Sequence, residues 1–328
     1  MKHKVHETDY AYAVARVRAN ELSLLTEADV EQLIDADSYS AAMKILGDSG
    51  WGDPSEVKDY AEYLENYFKN TRDLLTEVMG GDMSSLDLLL IPNDMQNLKA
   101  ALKSLVSQHD AKDVYTSSTV FDTETIRKAV AEKRFSDLPD FMKQPAQDAY
   151  DVLVSTANGQ VADAIIDRAT LEEMVRLGNE SGSPVLKKIA ERKCAAADIK
   201  TALRGAATKK SADFLDKALA ECDTVSVSSL KEAALSSQEA VLDYLQNTDY
   251  RDAAEEYKKS TSAFEKWCDD ILMECVYQAR YTAFGVDPLV AYYIARDAEI
   301  KTVRIVLSAK KNNLSKDVIR ERVRTLYV

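Results

Sequence analysis

Three short stretches of the chain decide the fold: Asp94-Met95-Gln96-Asn97-Leu98-Lys99, Asp198-Ile199-Lys200-Thr201-Ala202-Leu203-Arg204 and Glu299-Ile300-Lys301-Thr302-Val303-Arg304. Each opens with an acid and continues into a basic residue, and we expect each to open a helix. The acids stand at positions 94, 198 and 299 of a 328-residue chain, so the stretches recur with a period of roughly 100 residues. That period is longer than a solenoid repeat and indicates repeated domains.

A long amphipathic helix is predicted ahead of each stretch, because apolar residues recur there at steps of three and four. The first covers 54–79, with Asp53 as its N-cap and Gly80-Gly81 as its stop. The second starts after Pro145 and runs through Ile165 towards the breaker cluster Gly178–Pro184, and the third covers about 253–283. Three long helices of similar character indicate three similar units.

The prolines and the scarcity of strand signals favour an all-α fold. Thr224–Leu230 alternates Val with Ser, but this pattern is short and isolated. Proline lacks a backbone N–H and is tolerated in the first turn of a helix. We therefore expect helices to begin at five of the six prolines: Pro54, Pro92, Pro145, Pro184 and Pro288.

A weaker repeated feature is a short polar helix start upstream of each long helix. The three starts are 25–29, 122–124 and 228–232. In the first, Thr26 and Asp29 have the spacing of a capping box, with Asp in place of Glu.

Three copies of one helical unit in a single chain predict three similar helical domains, 1–113, 114–212 and 213–328. We expect them to be arranged with pseudo-threefold symmetry as a funnel around a central hollow. The alternative is that the acid-to-base spacing only reflects helix-dipole preference and pairing within one helix.

Composition and charge limit the functions that are plausible. The chain is 46% hydrophobic and 30% charged, with a net charge of −13, which is typical of a folded protein that repels phosphate backbones and anionic lipid. No stretch approaches the roughly 20 apolar residues of a membrane span, and Met1–Lys4 is not followed by a signal-peptide core. We expect a cytoplasmic protein without nucleic-acid partners. Its four cysteines form no C-x-x-C pair, which predicts buried thiols.

The two ends of the chain carry distinctive stretches: Tyr10–Ala19 with Leu24–Thr26, and Gly285–Tyr293 followed by Glu299–Lys301, Arg304-Ile305, Ile319–Arg322 and Tyr327-Val328. These stretches resemble the C subunit of bacterial and archaeal V/A-type ATPases, the counterpart of the eukaryotic V-ATPase d subunit. The resemblance covers the whole chain and is strongest at the two ends. It implies a non-catalytic subunit, without cofactor, that couples the central-stalk subunits to the cytoplasmic face of the proteolipid ring. It also implies a location peripheral to the membrane. Because the threefold symmetry lies within one chain, we expect a monomer when the chain is isolated.

Basic residues are the candidate binding site for these partners. We predict that Lys99, Arg204 and Arg304 face the central hollow and hold the stalk. A second cluster of basic residues near the C-terminus, which includes Lys301 and Arg320, has two interpretations. It is either a docking surface for an acidic partner, or helix C-terminal charge and pairing within a helix, such as Asp317 with Arg320.

Catalytic and metal sites have weak sequence support. No phosphate-binding loop occurs, and Gly47, Gly50 and Gly52 lie in a predicted connection between helices. His3 and His6 lie near the N-terminus, and His109 is expected at a helix C-terminus.

The sequence Asp269-Asp270-Ile271-Leu272-Met273-Glu274 resembles, one residue out of register, the magnesium motif of all-α isoprenoid synthases. An all-α magnesium-dependent diphosphate enzyme is therefore the alternative function, and an unrelated helical adaptor is a third. We otherwise expect these carboxylates to lie on a solvated polar face.

Overall fold

The computed structural model describes residues 10–107 and 114–328; His3, His6 and His109 lie outside these ranges. Within them the fold is all-α, as predicted, and extended backbone is paired only in an isolated bridge between Cys222 and Val225. The α-helices are α1 (Ala11–Glu21), α2 (Glu27–Asp35), α3 (Tyr39–Leu46), α4 (Tyr60–Val78), α5 (Asp87–Ser107), α6 (Thr123–Ala131), α7 (Asp140–Thr156), α8 (Gly159–Glu180), α9 (Pro184–Ala207), α10 (Ala212–Ala218), α11 (Val227–Ser236), α12 (Gln238–Leu245), α13 (Arg251–Lys259), α14 (Thr261–Val276), α15 (Asp287–Lys311) and α16 (Lys316–Arg322).

The three predicted short helix starts are confirmed, each with a side-chain cap. Thr26 and Asp29 form the capping box of α2, because each side chain bonds the other residue's backbone N–H. The side chain of Asp122 accepts from the N–H of Thr125 at the start of α6. Ser226, two residues ahead of the predicted start, caps α11 through the N–H of Ser229. Each cap satisfies a backbone donor that the helix leaves unpaired.

The predicted long helices are interrupted where strong local caps compete with the apolar period. The first begins at Tyr60 with Asp59 as its N-cap, and Pro54–Glu56 forms a separate 3₁₀ turn. The second is divided into α7 and α8 at Ala157, which adopts a left-handed conformation (φ 54°). The third is divided into α13 and α14 by the cap of Ser260. The predicted stop at Gly80-Gly81 is confirmed, since both glycines have positive φ.

The proline prediction is partly wrong. Pro184 begins α9 and Pro288 is the second residue of α15, as expected. Pro92 and Pro145, however, lie inside α5 and α7. A proline within a helix removes one backbone hydrogen bond. Both helices nevertheless continue past the proline, because apolar side chains of each helix, such as Met95, are packed in the core.

The chain forms two compact units. The terminal unit contains the described residues up to Met83 together with Glu255–Val328, and the middle unit contains the described residues of Ser84–Ala254. The terminal unit is discontinuous because the end of α15 shares a core with α2, α3 and the start of α4. These units do not coincide with the domains 1–113, 114–212 and 213–328. Three domains in a pseudo-threefold funnel stay a prediction.

The core of the middle unit lies mainly among α5, α6, α7 and α8, where Leu98, Ile126, Met142 and Ile166 are fully buried. A smaller cluster surrounds Cys194 on α9. None of the helices within residues 10–107 and 114–328 combines the length and apolar character needed to cross a membrane.

Candidate functional site

The three acids of the sequence repeat are buried. Asp94 on α5 and Asp198 on α9 are 0% exposed, and Glu299 on α15 is 2% exposed. None of them opens its helix, because α5, α9 and α15 begin 7 to 14 residues earlier. The prediction of acid-initiated helices is therefore wrong. Helix-dipole preference does not explain these acids, because it acts only within the first turn.

Each acid instead binds the backbone of a segment that leads into one of the short capped helices. The two carboxylate oxygens of Asp94 accept from the N–H groups of Val120 and Phe121, both at 3.0 Å, just ahead of α6. Asp198 accepts from the N–H of Ala220 at 3.1 and 3.2 Å, ahead of α11. We call these arrangements acid clamps.

The third acid clamp has the same design in the terminal unit. Glu299 Oε1 accepts from the N–H of Leu25, ahead of α2. The contact links residues 274 positions apart in the sequence. One structural element thus recurs three times at the spacing of the sequence repeat.

Burial raises the pKa of each clamp acid, because the charged form loses its hydration. The pKa is raised to about 6 for Asp94, to about 8 for Asp198 and to about 7 for Glu299. The N–H donors oppose these shifts, since they stabilise the carboxylate.

The Glu299 clamp contains a buried cation that sequence reasoning missed. Arg296 is 3% exposed and its Nη1 lies 2.8 Å from Glu299 Oε2. The same guanidinium donates to Tyr67 Oη at 2.7 Å and to Ser23 Oγ at 2.6 Å. The available sequence signal was a single charge directly after the apolar run Leu289–Ala295.

The predicted stalk-binding residues have different surroundings. Lys99 donates to Asp167 at 2.7 Å, whereas Arg204 and Arg304 are exposed on α9 and α15. Arg204 and Asp167 both line a groove of about 350 Å³ in the middle unit. Lys99 and Arg304 each follow their clamp acid by five residues, but Arg204 follows Asp198 by six. One residue turns the side-chain direction by about 100° around a helix, so Arg204 is out of register with the other two.

Lys301 and Arg320 are engaged in ion pairs within the terminal unit. Lys301 Nζ lies 2.7 Å from Asp269 and 3.0 Å from Asp297. Arg320 pairs with Glu31 at 3.0 Å and, as predicted from their spacing, with Asp317 at 3.2 Å. These contacts favour internal pairing as the role of the C-terminal basic residues.

Other members of this basic cluster also bind the terminal unit itself. Lys310 donates to the carbonyls of Ile34 and Ala36 at the end of α2, and Lys316 pairs with Asp35. Cations at a helix C-terminus satisfy carbonyls that the helix leaves unpaired.

Two of the three carboxylates of the magnesium-like motif, those of Asp269 and Asp270, hold the C-terminal segment, whereas Glu274 is exposed. Asp269 binds Lys301 and Arg324, each at 2.7 Å. Asp270 accepts from the N–H and hydroxyl of Thr325 at 2.9 and 2.8 Å. The cavity beside them has a volume of about 10 Å³, which is too small for a diphosphate because it barely admits one water. In the described part of the chain, no three acids, cysteines or histidines converge as metal ligands.

Comparisons with known proteins give one consistent result. Residues 13–322 match the model of the ATP synthase (C/AC39) subunit family. The chain is 23% identical over 318 residues to the C subunit of the V-type sodium ATPase of Enterococcus hirae, covering 95% of this chain and 97% of that protein. It is also 23% identical to the C subunit of the V-type ATP synthase of Thermus thermophilus, over 92% of this chain and 94% of that protein. The same identity is found with the C subunit of the A-type ATP synthase of Methanocaldococcus jannaschii, over 95% of this chain and 85% of that protein.

Proposed function

Because the chain belongs to the ATP synthase (C/AC39) subunit family, we propose that it is the non-catalytic subunit that couples the central stalk of a rotary V/A-type ATPase to its proteolipid ring. The observation that carries this proposal is the family match over residues 13–322. Near-complete coverage of the Enterococcus and Thermus subunits supports a similar role for the whole chain.

A coupling subunit has to transmit torque without internal slippage, and the acid clamps fit that requirement. Each clamp fixes the entry of a short helix to a long helix by bonds to a buried carboxylate. At neutral pH Asp94, whose pKa is about 6, is mainly ionised, and a charge-assisted hydrogen bond is roughly twice as strong as a neutral one. Burial protects the hydrogen bonds of all three clamps from competition by water. We infer that the clamps stiffen three similar bundles arranged around the stalk.

The contacts of Asp269 and Asp270 support a role without catalysis, because both side chains bind other residues of the same chain. Asp269 and Asp270 are held by two lysines, an arginine and a threonine. A magnesium ion would have to displace these partners before it bound.

For stalk binding, we propose Lys99, Arg204 and Arg304 as contacts, and Arg304 as the strongest candidate. It is exposed and shares its register with Lys99. Lys99 is already paired with Asp167, and Lys301 and Arg320 would have to give up existing ion pairs. The proteolipid ring is the proposed second partner, contacted from the cytoplasmic face by a chain that is monomeric when isolated.

Co-elution on a sizing column with the recombinant central-stalk subunits from the same source tests the proposal. We expect a stable complex at moderate salt. The variant R204E/R304E should lose it, whereas the control K44E/K188E, which changes the net charge equally at two other exposed positions, should retain it.

Two outcomes would contradict parts of this proposal. If the chain binds neither the stalk subunits nor the ring, with all partners folded, the coupling function is overturned. Unchanged affinity of R204E/R304E would remove only those two residues from the interface. Calorimetry with magnesium and diphosphate should give no binding heat.

A further inference from the structure

Two of the four cysteines meet at the Asp198 clamp. Cys194 lies on α9, four residues before Asp198 and on the same face, and is 0% exposed. Cys222 lies half-buried in the segment between α10 and α11, two residues after Ala220. Cys222 packs against a cluster formed by Cys194, Ala220 and Leu171.

The backbone that carries Cys222 is held on both sides. Asp198 binds the N–H of Ala220, and Glu191 Oε2 accepts from the N–H of Asp223 at 2.9 Å. Cys194 Sγ also contacts the carbonyl oxygen of Ala220 at 3.7 Å. A segment that is already ordered loses little further entropy when a covalent bond closes it.

The surroundings give the two thiols different reactivities. Hydrogen bonds from Cys194, Val225 and Thr224 lower the pKa of Cys222 to about 7, although burial and the charge of Glu191 oppose this. The pKa of Cys194 is raised by its hydrogen bond to Cys222, by burial and by nearby acids. A thiolate is the reactive form of cysteine. The half-buried Cys222 is therefore the nucleophile, and the buried Cys194 is the resolving cysteine.

We propose that Cys194 and Cys222 form a reversible redox site, in which a peroxide converts the two thiols into a disulfide that locks the segment ahead of α11 onto α9. This site is independent of stalk coupling. The site would react with a two-electron oxidant that is small enough to reach a half-buried sulfur.

The reaction balances with hydrogen peroxide as the oxidant. The Cys222 thiolate attacks one peroxide oxygen, the O–O bond breaks, and a sulfenic acid and hydroxide form; the hydroxide takes up the proton that Cys222 released. The sulfur of Cys194 then attacks the sulfur of Cys222, the S–O bond breaks, and water leaves with the proton of Cys194. Two thiols and one peroxide give one disulfide and two waters.

The other two cysteines provide an internal control. Cys268 and Cys275 lie seven residues apart on α14, a rise of about 10 Å along the helix. That separation exceeds the Cα distance that a disulfide spans, so this pair should not cross-link.

The test uses the full chain, reduced, treated with a small excess of hydrogen peroxide, blocked with an alkylating agent and mapped by mass spectrometry without reduction. We expect a cross-linked peptide that joins Cys194 to Cys222 and disappears with dithiothreitol. The C222S variant should lose it, and the C268S variant should keep it. Oxidation should also move the wild-type chain to a higher denaturant midpoint and leave C222S unchanged.

The alkylation rate of Cys222 in the wild-type chain provides a second measurement that does not require any variant to fold. Its pH profile should have a midpoint near 7, and at pH 7 it should react about threefold faster than glutathione, since a larger thiolate fraction outweighs the lower nucleophilicity. The proposal is overturned if Cys222 proceeds to sulfinic acid without cross-linking. Cross-links that join other cysteines, or equal alkylation of all four after peroxide, would overturn it as well.

Discussion

The clamp in the terminal unit and the two clamps in the middle unit bind backbone in the same way but compensate their buried charge differently. Glu299 pairs with Arg296 at 2.8 Å, so charge is balanced inside the core. Asp94 has two N–H donors and no guanidinium, and Asp198 shares a single N–H donor between its two oxygens. The comparison shows that position and burial are shared by the repeat, whereas the charge state of each acid is set by its own neighbours.

Removing Arg296 should have the largest effect, because Glu299 loses its buried counter-charge, its pKa of about 7 rises further, and Tyr67 and Ser23 lose their donor. We expect R296M to lower the free energy of unfolding by roughly 3–5 kcal/mol at neutral pH. Denaturant titration of the full chain measures this effect. The double variant R296M/E299Q removes both charges and should recover part of the loss. If the double variant is no more stable than R296M, the cost lies in the lost bonds to Tyr67 and Ser23 rather than in the charge.

The pH dependence of the Asp198 clamp should come next in size. Its pKa is about 8 in the folded chain, against 3.8 for an ordinary aspartate carboxyl, so the folded state binds more protons between these values. Stability that depends on the protonated form is fully present below about pH 4 and is lost as pH rises through about 8.

A matched variant isolates this contribution from the other two clamps. D198N keeps the side-chain shape and cannot ionise. Asp94 and Glu299 titrate in both proteins, so their contributions cancel when the two stabilities are compared. We expect the wild type to lose on the order of 3 kcal/mol relative to D198N between pH 5 and pH 8. Equal pH dependence of the two proteins would mean that Asp198 is ionised throughout. A wild type that gains stability relative to D198N over this range would mean that folding lowers the pKa of Asp198 instead of raising it.

The sequence predicted the all-α class and the three short helix starts, because these depend on neighbours within a few residues. It did not predict the break at Ala157, where no glycine or proline marks the left-handed residue. It also missed what the acids bind. Glu299 meets Leu25 across 274 residues, and helical periodicity carries no information about such partners. The pairing of Lys99 with Asp167 was not predicted either, because it depends on how α5 and α8 pack.

The contrast between Asp94 and Asp198 gives the smallest and most specific prediction. Asp94 uses one oxygen for each of two N–H groups. In D94N one of these oxygens becomes an amide nitrogen, which cannot accept, so one buried N–H loses its partner. We expect a loss of about 1–3 kcal/mol. In D198N the remaining carbonyl oxygen can still accept from Ala220, so at pH 5 this variant should lie within about 0.5 kcal/mol of the wild type. Denaturant titration compares each variant with the wild type at the same pH: D94N at pH 7, where Asp94 with its pKa of about 6 is mainly ionised, and D198N at pH 5. Equal losses would show that the number of backbone donors does not distinguish the two clamps, and that desolvation of the carboxyl group governs both.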